Sequence, residues 1–118
     1  MTPSDSPAAP PPRSELLKGT LDMLVLKTLS VGSLHGYAIA QQIERLSDDV
    51  LRVEQGSLYP ALTRPQKKGG VTSKWGVTPT GRRARYYSLT ASGRKQLGAE
   101  VSAYDRVSLA IARVLRRA

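Results

Sequence analysis

The 118-residue sequence contains no cysteine. That absence removes disulfides, thiolate metal ligands and thiol nucleophiles together, and it fits a reducing compartment such as the cytoplasm. It contains a single histidine, His35. A metal site or a nucleophile–base pair needs partners for that imidazole, and there is no second histidine and no cysteine to supply them. His35 is therefore expected at a helix start or turn. No glycine loop suited to cradling phosphate is present either, so no cofactor, no metal and no enzymatic activity are expected. No apolar run approaches the ~20 residues that a membrane span requires. The first twelve residues have neither the basic n-region nor the apolar h-region of a signal peptide.

The most informative absence is of one charge sign. From Gln55 to Ala99, a stretch of 45 residues, there is no aspartate or glutamate. The same stretch holds nine cations: Arg64, Lys67, Lys68, Lys74, Arg82, Arg83, Arg85, Arg94 and Lys95. The whole chain has a net charge of +9, so this stretch carries all of the excess and the remainder sums to zero. A charge run is ordinarily a solvated face. One this long, crossing several predicted elements, points to a polyanion partner, nucleic acid ahead of membrane.

Along the chain, residues 1–14 read as a disordered tail, since Met1 to Arg13 contains five of the eight prolines. A helical pattern runs from Leu16 to Leu29. Leu17, Leu21, Leu24 and Thr28 form a stripe that Leu16, Met23, Val25 and Leu26 widen, so this helix should be buried on more than one side and stopped by Gly32. A second helix is predicted over Gly36–Leu46, with Ile39, Ala40, Ile43 and Leu46 inward and Gln41, Gln42, Glu44 and Arg45 outward. Val50 to Val53 suits a short strand. A third helix should begin near Gly56 or Ser57, with Ser57 as its N-cap and Pro60 in its first turn. Its inward face would be Leu58, Ala61, Leu62 and Pro65, and Gly69-Gly70 would stop it.

Val71–Val77 and Arg85–Leu89 alternate as strands, joined by the turn-rich, basic Thr78-Pro79-Thr80-Gly81-Arg82-Arg83. Trp75 falls on the inward side of this hairpin and reads as core. Thr90 can cap a last helix over Ala91–Arg117, roughly 40 Å long at 1.5 Å per residue. In it Leu97, Val101, Tyr104, Ser108, Ile111 and Leu115 are spaced 4-3-4-3-4, the seam of a coiled coil and hence of a dimer. The fold class is then mainly α with a small β-hairpin. A winged helix-turn-helix over residues 15–90 is followed by a C-terminal dimerisation helix over 91–118.

In that arrangement the third helix fits a major groove about 12 Å wide. Its exposed side presents Gly56, Pro60, Thr63 and Lys67, flanked by Tyr59, Arg64 and Lys68. Ser57 near its start and Tyr37 at the start of the second helix are further candidates for DNA contact, with packing the competing role for Tyr37 and Tyr59. The wing tip, with Arg82, Arg83 and Arg85, can lie along a phosphate backbone or enter a minor groove. Tyr104 on the seam reads first as packing and second as a stacking surface for a ligand.

Four stretches carry a resemblance to a known family. They are Leu16-Leu17-Lys18-Gly19-Thr20-Leu21-Asp22-Met23-Leu24-Val25-Leu26, His35-Gly36-Tyr37-Ala38-Ile39, Gln55-Gly56-Ser57-Leu58-Tyr59-Pro60-Ala61-Leu62 and Arg82-Arg83-Ala84-Arg85-Tyr86-Tyr87-Ser88-Leu89-Thr90. In order and spacing they resemble the PadR family of bacterial transcriptional regulators, in its short form with one C-terminal helix, over roughly residues 15–117. The resemblance implies a homodimeric repressor on a near-palindromic operator in double-stranded DNA. In some members a small planar compound between the subunits releases the DNA. Two positions depart from the family pattern: Pro65, where relatives usually carry leucine, and Gly70, where they carry a large apolar residue. Pro65 is expected to end or kink the third helix near Arg64 and to leave Lys67 and Lys68 in the turn, aimed at phosphate. Two other readings stand beside the repressor: a non-specific architectural DNA binder, and a winged-helix module that binds protein instead of DNA.

Overall fold

The computed structural model describes residues 18–117. The expected N-terminal tail, and the Leu16 and Leu17 positions of the first helix, lie outside the described residues. Seven elements follow in order: α1 (Lys18–Leu29), β1 (Leu34–His35), α2 (Gly36–Leu46), α3 (Gln55–Lys67), β2 (Val71–Val77), β3 (Arg83–Leu89) and α4 (Ala91–Arg117). The strands form one antiparallel sheet in the order β1-β3-β2. The mainly helical fold with a β-hairpin wing is thus the one expected.

The core forms where α1, α2, α3, the base of the wing and the start of α4 meet. Leu21, Val25, Leu26 and Leu29 of α1 are buried, as are Ile39 and Ile43 of α2, Leu58, Ala61 and Leu62 of α3, Val71, Tyr87 and Leu97. Helix α1 is enclosed on more than one side, as its broad apolar surface requires. Its buried positions are Leu21, Val25, Leu26, Thr28 and Leu29, while Met23 and Leu24 are only partly covered. Thr28 is buried without penalty because its hydroxyl donates to the Val25 carbonyl at 2.8 Å.

Helix α2 has the predicted bounds. His35 caps it: the Ala38 N–H donates to His35 Nδ1 at 3.4 Å, so the lone histidine sits at a helix start. Leu46 does not join the inward face and is 68% exposed, because α2 reaches past the core in its last turn. Beyond it, Asp48 and Asp49 adopt positive φ, and their N–H groups return to the Arg45 and Glu44 carbonyls. The expected strand at Val50–Val53 is absent. The backbone donors there are taken by side chains of the preceding helix end: Leu51 N–H by Ser47 Oγ at 3.0 Å and Val53 N–H by Glu44 Oε2 at 2.8 Å. The third strand is instead Leu34–His35, pairing with Tyr87 and Tyr86.

Helix α3 begins earlier than expected, at Gln55, with Glu54 as the N-cap and no side-chain cap bond. The Glu54 carbonyl accepts from both Ser57 and Leu58, so Ser57 lies inside the first turn and Pro60 lies past it. The inward face of Leu58, Ala61, Leu62 and Pro65 is buried as expected. Pro65 does not end the helix: α3 continues to Lys67, with Lys68 as its C-cap. Pro65 removes one helical donor, but it stands near the C-terminus, where the remaining groups close a Schellman turn. Gly69 has φ +82°, its N–H donates to the Gln66 carbonyl, and Gly70 N–H donates to the Pro65 carbonyl at 2.9 Å.

Candidate nucleic-acid interface

The chemistry of this surface is set by which cations stand free and which are held. On α3, Gly56, Tyr59, Arg64, Lys67 and Lys68 are exposed, and Ser57, Pro60 and Thr63 are half-buried. A Cβ added at Gly56 would meet nothing within 4 Å, so the start of α3 offers bare backbone to an approaching surface. Tyr59 is 65% exposed and leaves packing to its neighbours Leu58 and Leu62. The Thr63 hydroxyl donates to the Pro60 carbonyl at 3.3 Å, a turn back along the helix.

Arg64 is the exception among the α3 cations. Its Nη2 and Nε donate to Asp22 Oδ1 and Oδ2 at 2.6 and 3.0 Å, a two-pronged pair between α3 and α1. The hydrogen bond to Asp22 holds the guanidinium pKa above its ordinary value. Arg64 therefore braces the helix, while Lys67 and Lys68 project as solvated charge.

Tyr37, also 65% exposed, stands at the start of α2. Together with Tyr59, Tyr87 and Arg85 it lines a cleft of about 560 Å³ between α2, α3 and β3. The cleft floor is apolar, with Ala40, Val53, Leu58 and Leu62, and Glu44 and two glutamines border it. Burial pushes the Tyr87 phenol pKa up, against a smaller downward pull from Arg85. The cleft thus brings the start of the second helix, the start of the third and the wing to one side of the molecule.

The wing is a hairpin closed by a tight turn. Thr78 N–H donates to the Arg82 carbonyl at 2.7 Å, Gly81 N–H to the Thr78 carbonyl at 2.8 Å, and Gly81 has φ +88°. Arg82 is exposed in this turn. Arg83 and Arg85 face Val77 and Trp75 across the ladder, so all four side chains share one face. Trp75 was expected in the core on the inward side of the strand. It is 56% exposed, because the hairpin extends beyond the helices that cover its base. Its ring instead carries the guanidinium carbons of Arg83 and Arg85, 4.7 and 5.1 Å from the ring centroid. On the opposite face, Tyr86 covers Gly76, its hydroxyl donates to the Val77 carbonyl at 3.1 Å, and its ring meets His35 edge-on at 5.4 Å. Sequence reasoning passed over Trp75 and Tyr86 as site residues. The available signal was the occurrence of Trp75, Gly76 and Tyr86 with three arginines in one short hairpin.

The seam residues of α4 divide. Leu97 packs into the chain's own core, Ser108 is half-buried, and Val101, Tyr104, Ile111 and Leu115 are exposed, with Val107 and Val114 beside them. This is an apolar strip on a helix of 27 residues, in a molecule whose principal extents are 54 × 30 × 22 Å.

The model of the transcriptional regulator PadR-like family matches residues 25–99. A transcriptional regulator of known structure from Clostridium thermocellum superposes with a TM-score of 0.77 at 26% identity, covering 85% of this chain and 97% of that one. A PadR-like transcriptional regulator from Bacillus cereus superposes with a TM-score of 0.74 at 27% identity, covering 89% of this chain and all of that one. An uncharacterized 37.1 kDa protein in transposon TN4556 of Streptomyces fradiae is 42% identical over 86 residues, 73% of this chain but only 23% of its own length.

Proposed function

Because the chain belongs to the PadR-like family of transcriptional regulators, and is in that capacity a DNA-binding regulator, we propose that it acts in the cytoplasm as a homodimeric repressor of a near-palindromic operator. The observation that carries this reading is the coincidence of charge and shape. Tyr59 on the exposed side of α3 and Arg85 of the wing both come from the acid-free stretch, and they line one cleft. In this reading α3 enters the major groove. Gly56 and Ser57 let its start approach closely, Tyr37 and Tyr59 donate to phosphate, and Pro60 and Thr63 face base edges. Lys67 and Lys68 bind backbone at the far end. The arginines of the wing, Arg82, Arg83 and Arg85, engage the neighbouring backbone or minor groove. Arg64 contributes by holding α3 on α1.

The dimer follows from α4. A solvent-facing apolar strip from Val101 to Leu115 is suited to a second copy of itself. Two copies related by a twofold axis would place their α3 helices in successive major grooves, roughly 34–36 Å apart. A planar effector would be held between the copies, along the cleft of α1 and α4 lined by Met23, Leu24, Leu97, Val101 and Tyr104.

Band shifts and footprinting on the DNA upstream of the protein's own gene test the proposal. A protected, twofold-symmetric site bound far more tightly than random duplex is expected. Equal affinity for random duplex, with steep salt dependence, would establish a non-specific architectural binder instead. No duplex affinity at low salt would leave the protein-interaction reading. The architectural reading drew on Pro65 as a helix breaker, and α3 runs on past that residue to Lys67. Arg82→Ala with Arg83→Ala should weaken binding to every sequence and flatten the salt slope by about 0.9 per lost phosphate contact. Thr63→Ala should change sequence preference.

A further inference from the structure

Two like charges two residues apart on one strand face repel each other and ordinarily splay into solvent. Arg83 and Arg85 stand in this relation on β3. No carboxylate is available on the hairpin to hold them, since none occurs between Gln55 and Ala99. Yet both guanidinium carbons lie over the Trp75 ring, at 4.7 and 5.1 Å. The register explains how. Trp75 sits directly across from Arg85, and Arg83 is one same-face position further toward the tip. The negative face of the indole attracts each guanidinium, and the flat guanidinium group of arginine stacks where a lysine ammonium would not.

The outer part of the hairpin supports this stack, while Val71 and Tyr87 at its base belong to the core. Trp75 is more than half exposed. A large aromatic side chain in the solvent-facing part of a strand adds little to folding. Behind it, the backbone is held by Tyr86, which covers Gly76 so closely that an added Cβ would stand 2.8 Å from its ring, and which anchors the Val77 carbonyl. The strand carrying the indole is therefore fixed from the opposite face. Arg85 also borders the cleft shared with Tyr37 and Tyr59, so the stack directs one of its cations toward the side on which the helices present their own contacts.

We infer that Trp75 is a positioning residue for DNA binding: its indole assembles Arg83 and Arg85 into a fixed pair of cations before the duplex arrives. The partner it fits is the phosphate backbone of one DNA strand, engaged by two guanidiniums whose separation and direction are already set. Ordering two long side chains on binding weakens association, and an indole that orders them in the free protein removes that cost. This inference rests on the DNA-binding reading of the wing.

The test uses the full-length chain and a labelled duplex, with affinity measured by fluorescence anisotropy over a range of salt concentrations. Trp75→Phe keeps an aromatic face and is expected to bind within about twofold of wild type. Trp75→Leu keeps an apolar side chain and loses the aromatic face; it should bind every duplex roughly three- to tenfold more weakly. Its salt slope should stay unchanged, because both positive charges remain. Arg83→Lys with Arg85→Lys, made with Trp75 intact, should behave like Trp75→Leu, with the charge kept and the stacking lost. Trp75 is the only tryptophan, so its own emission should change when wild type binds DNA. Equal affinities for the phenylalanine and leucine variants would overturn the role of Trp75 while leaving wing binding in place. A lysine pair that binds as tightly as wild type would do the same. Failure of the wild-type chain to bind any duplex would instead overturn the DNA-binding reading and this inference with it.

Discussion

Gly93→Ala is expected to be among the most damaging small substitutions in this protein, although it improves helix propensity. Gly93 lies in the first turn of α4, pressed against the turn that ends α3. A Cβ there would overlap the Gly70 carbonyl oxygen and stand 2.7 Å from Leu89 Cδ1 and 2.9 Å from the Gly70 carbonyl carbon. Backbone cannot swing aside as a side chain can, so α4 or the α3 stop must move. Three hydrogen bonds bind those two parts together: Thr90 N–H to the Gly70 carbonyl at 2.9 Å, Thr90 Oγ1 to the Gly69 carbonyl at 2.7 Å and Ser92 Oγ to the same carbonyl at 3.1 Å. Overpacking of this kind costs about 1–3 kcal/mol, and each hydrogen bond lost in relieving it adds about 0.5–1.5 kcal/mol. Alanine's better helix propensity returns only about 1 kcal/mol. The net expectation is a loss of about 2–3 kcal/mol, or roughly 10–20 °C in Tm for a domain of this size.

Gly98→Ala is the matched control. It lies in the same helix, and its added Cβ meets nothing within 4 Å. It should stabilise by about 0.4–1 kcal/mol. Both variants are measured by thermal melting and urea titration followed by circular dichroism, at one fixed protein concentration because the proposed dimerisation would make Tm concentration-dependent. Opposite signs for the same chemical change in one helix are the expected result. A Gly93→Ala protein as stable as wild type would refute the close approach of α4 to the α3 stop.

Three further outcomes follow from the geometry. Asp22→Ala should change stability by less than about 1 kcal/mol, since the pair with Arg64 is partly solvated. It should also steepen the salt slope of DNA binding by about 0.9 as the Arg64 guanidinium is released to phosphate; an unchanged slope would show that Arg64 does not reach DNA. Burial raises the Tyr87 phenol from its ordinary value of 10.0, so the folded chain holds that proton more tightly than the unfolded chain does. The resulting stabilisation is complete below about pH 10 and is lost as pH rises above it, and Tyr87→Phe should flatten the alkaline limb of a stability-versus-pH profile. Ile111→Asp places a charge in the exposed strip of α4 and should convert a dimer to a monomer in sedimentation velocity, while the circular dichroism spectrum of the winged-helix part is kept.

The parts of this fold that could be read from residues are those fixed by neighbours in sequence. Helix α2 at Gly36–Leu46, β2 at Val71–Val77 and α4 at Ala91–Arg117 have their predicted bounds. In each, the periodicity and the local stop or start signals agree: Thr90 caps α4 through the Gly93 N–H at 3.1 Å, and Gly69 closes α3. The misreadings share a different cause. A two-residue strand at Leu34–His35 exists only because Tyr86 and Tyr87, some fifty residues later, run alongside it. Val50–Val53 had strand-forming residues but no free edge to join, since Glu44 and Ser47 had already taken its donors. Arg64 resembled the other α3 cations until Asp22, 42 residues upstream, claimed it. Alternation in β2 correctly set Trp75 on the face of Val71 and Tyr87, but alternation states a side and not a depth. How far the helices extend along that face is a property of the assembled fold, and it ends before Trp75. Beyond that edge the same inward-facing pattern that buries Val71 leaves an indole more than half exposed, with two arginines stacked on it. A pattern of alternation locates core where a second layer backs the strand; where the layer stops, the same pattern marks a surface available for binding.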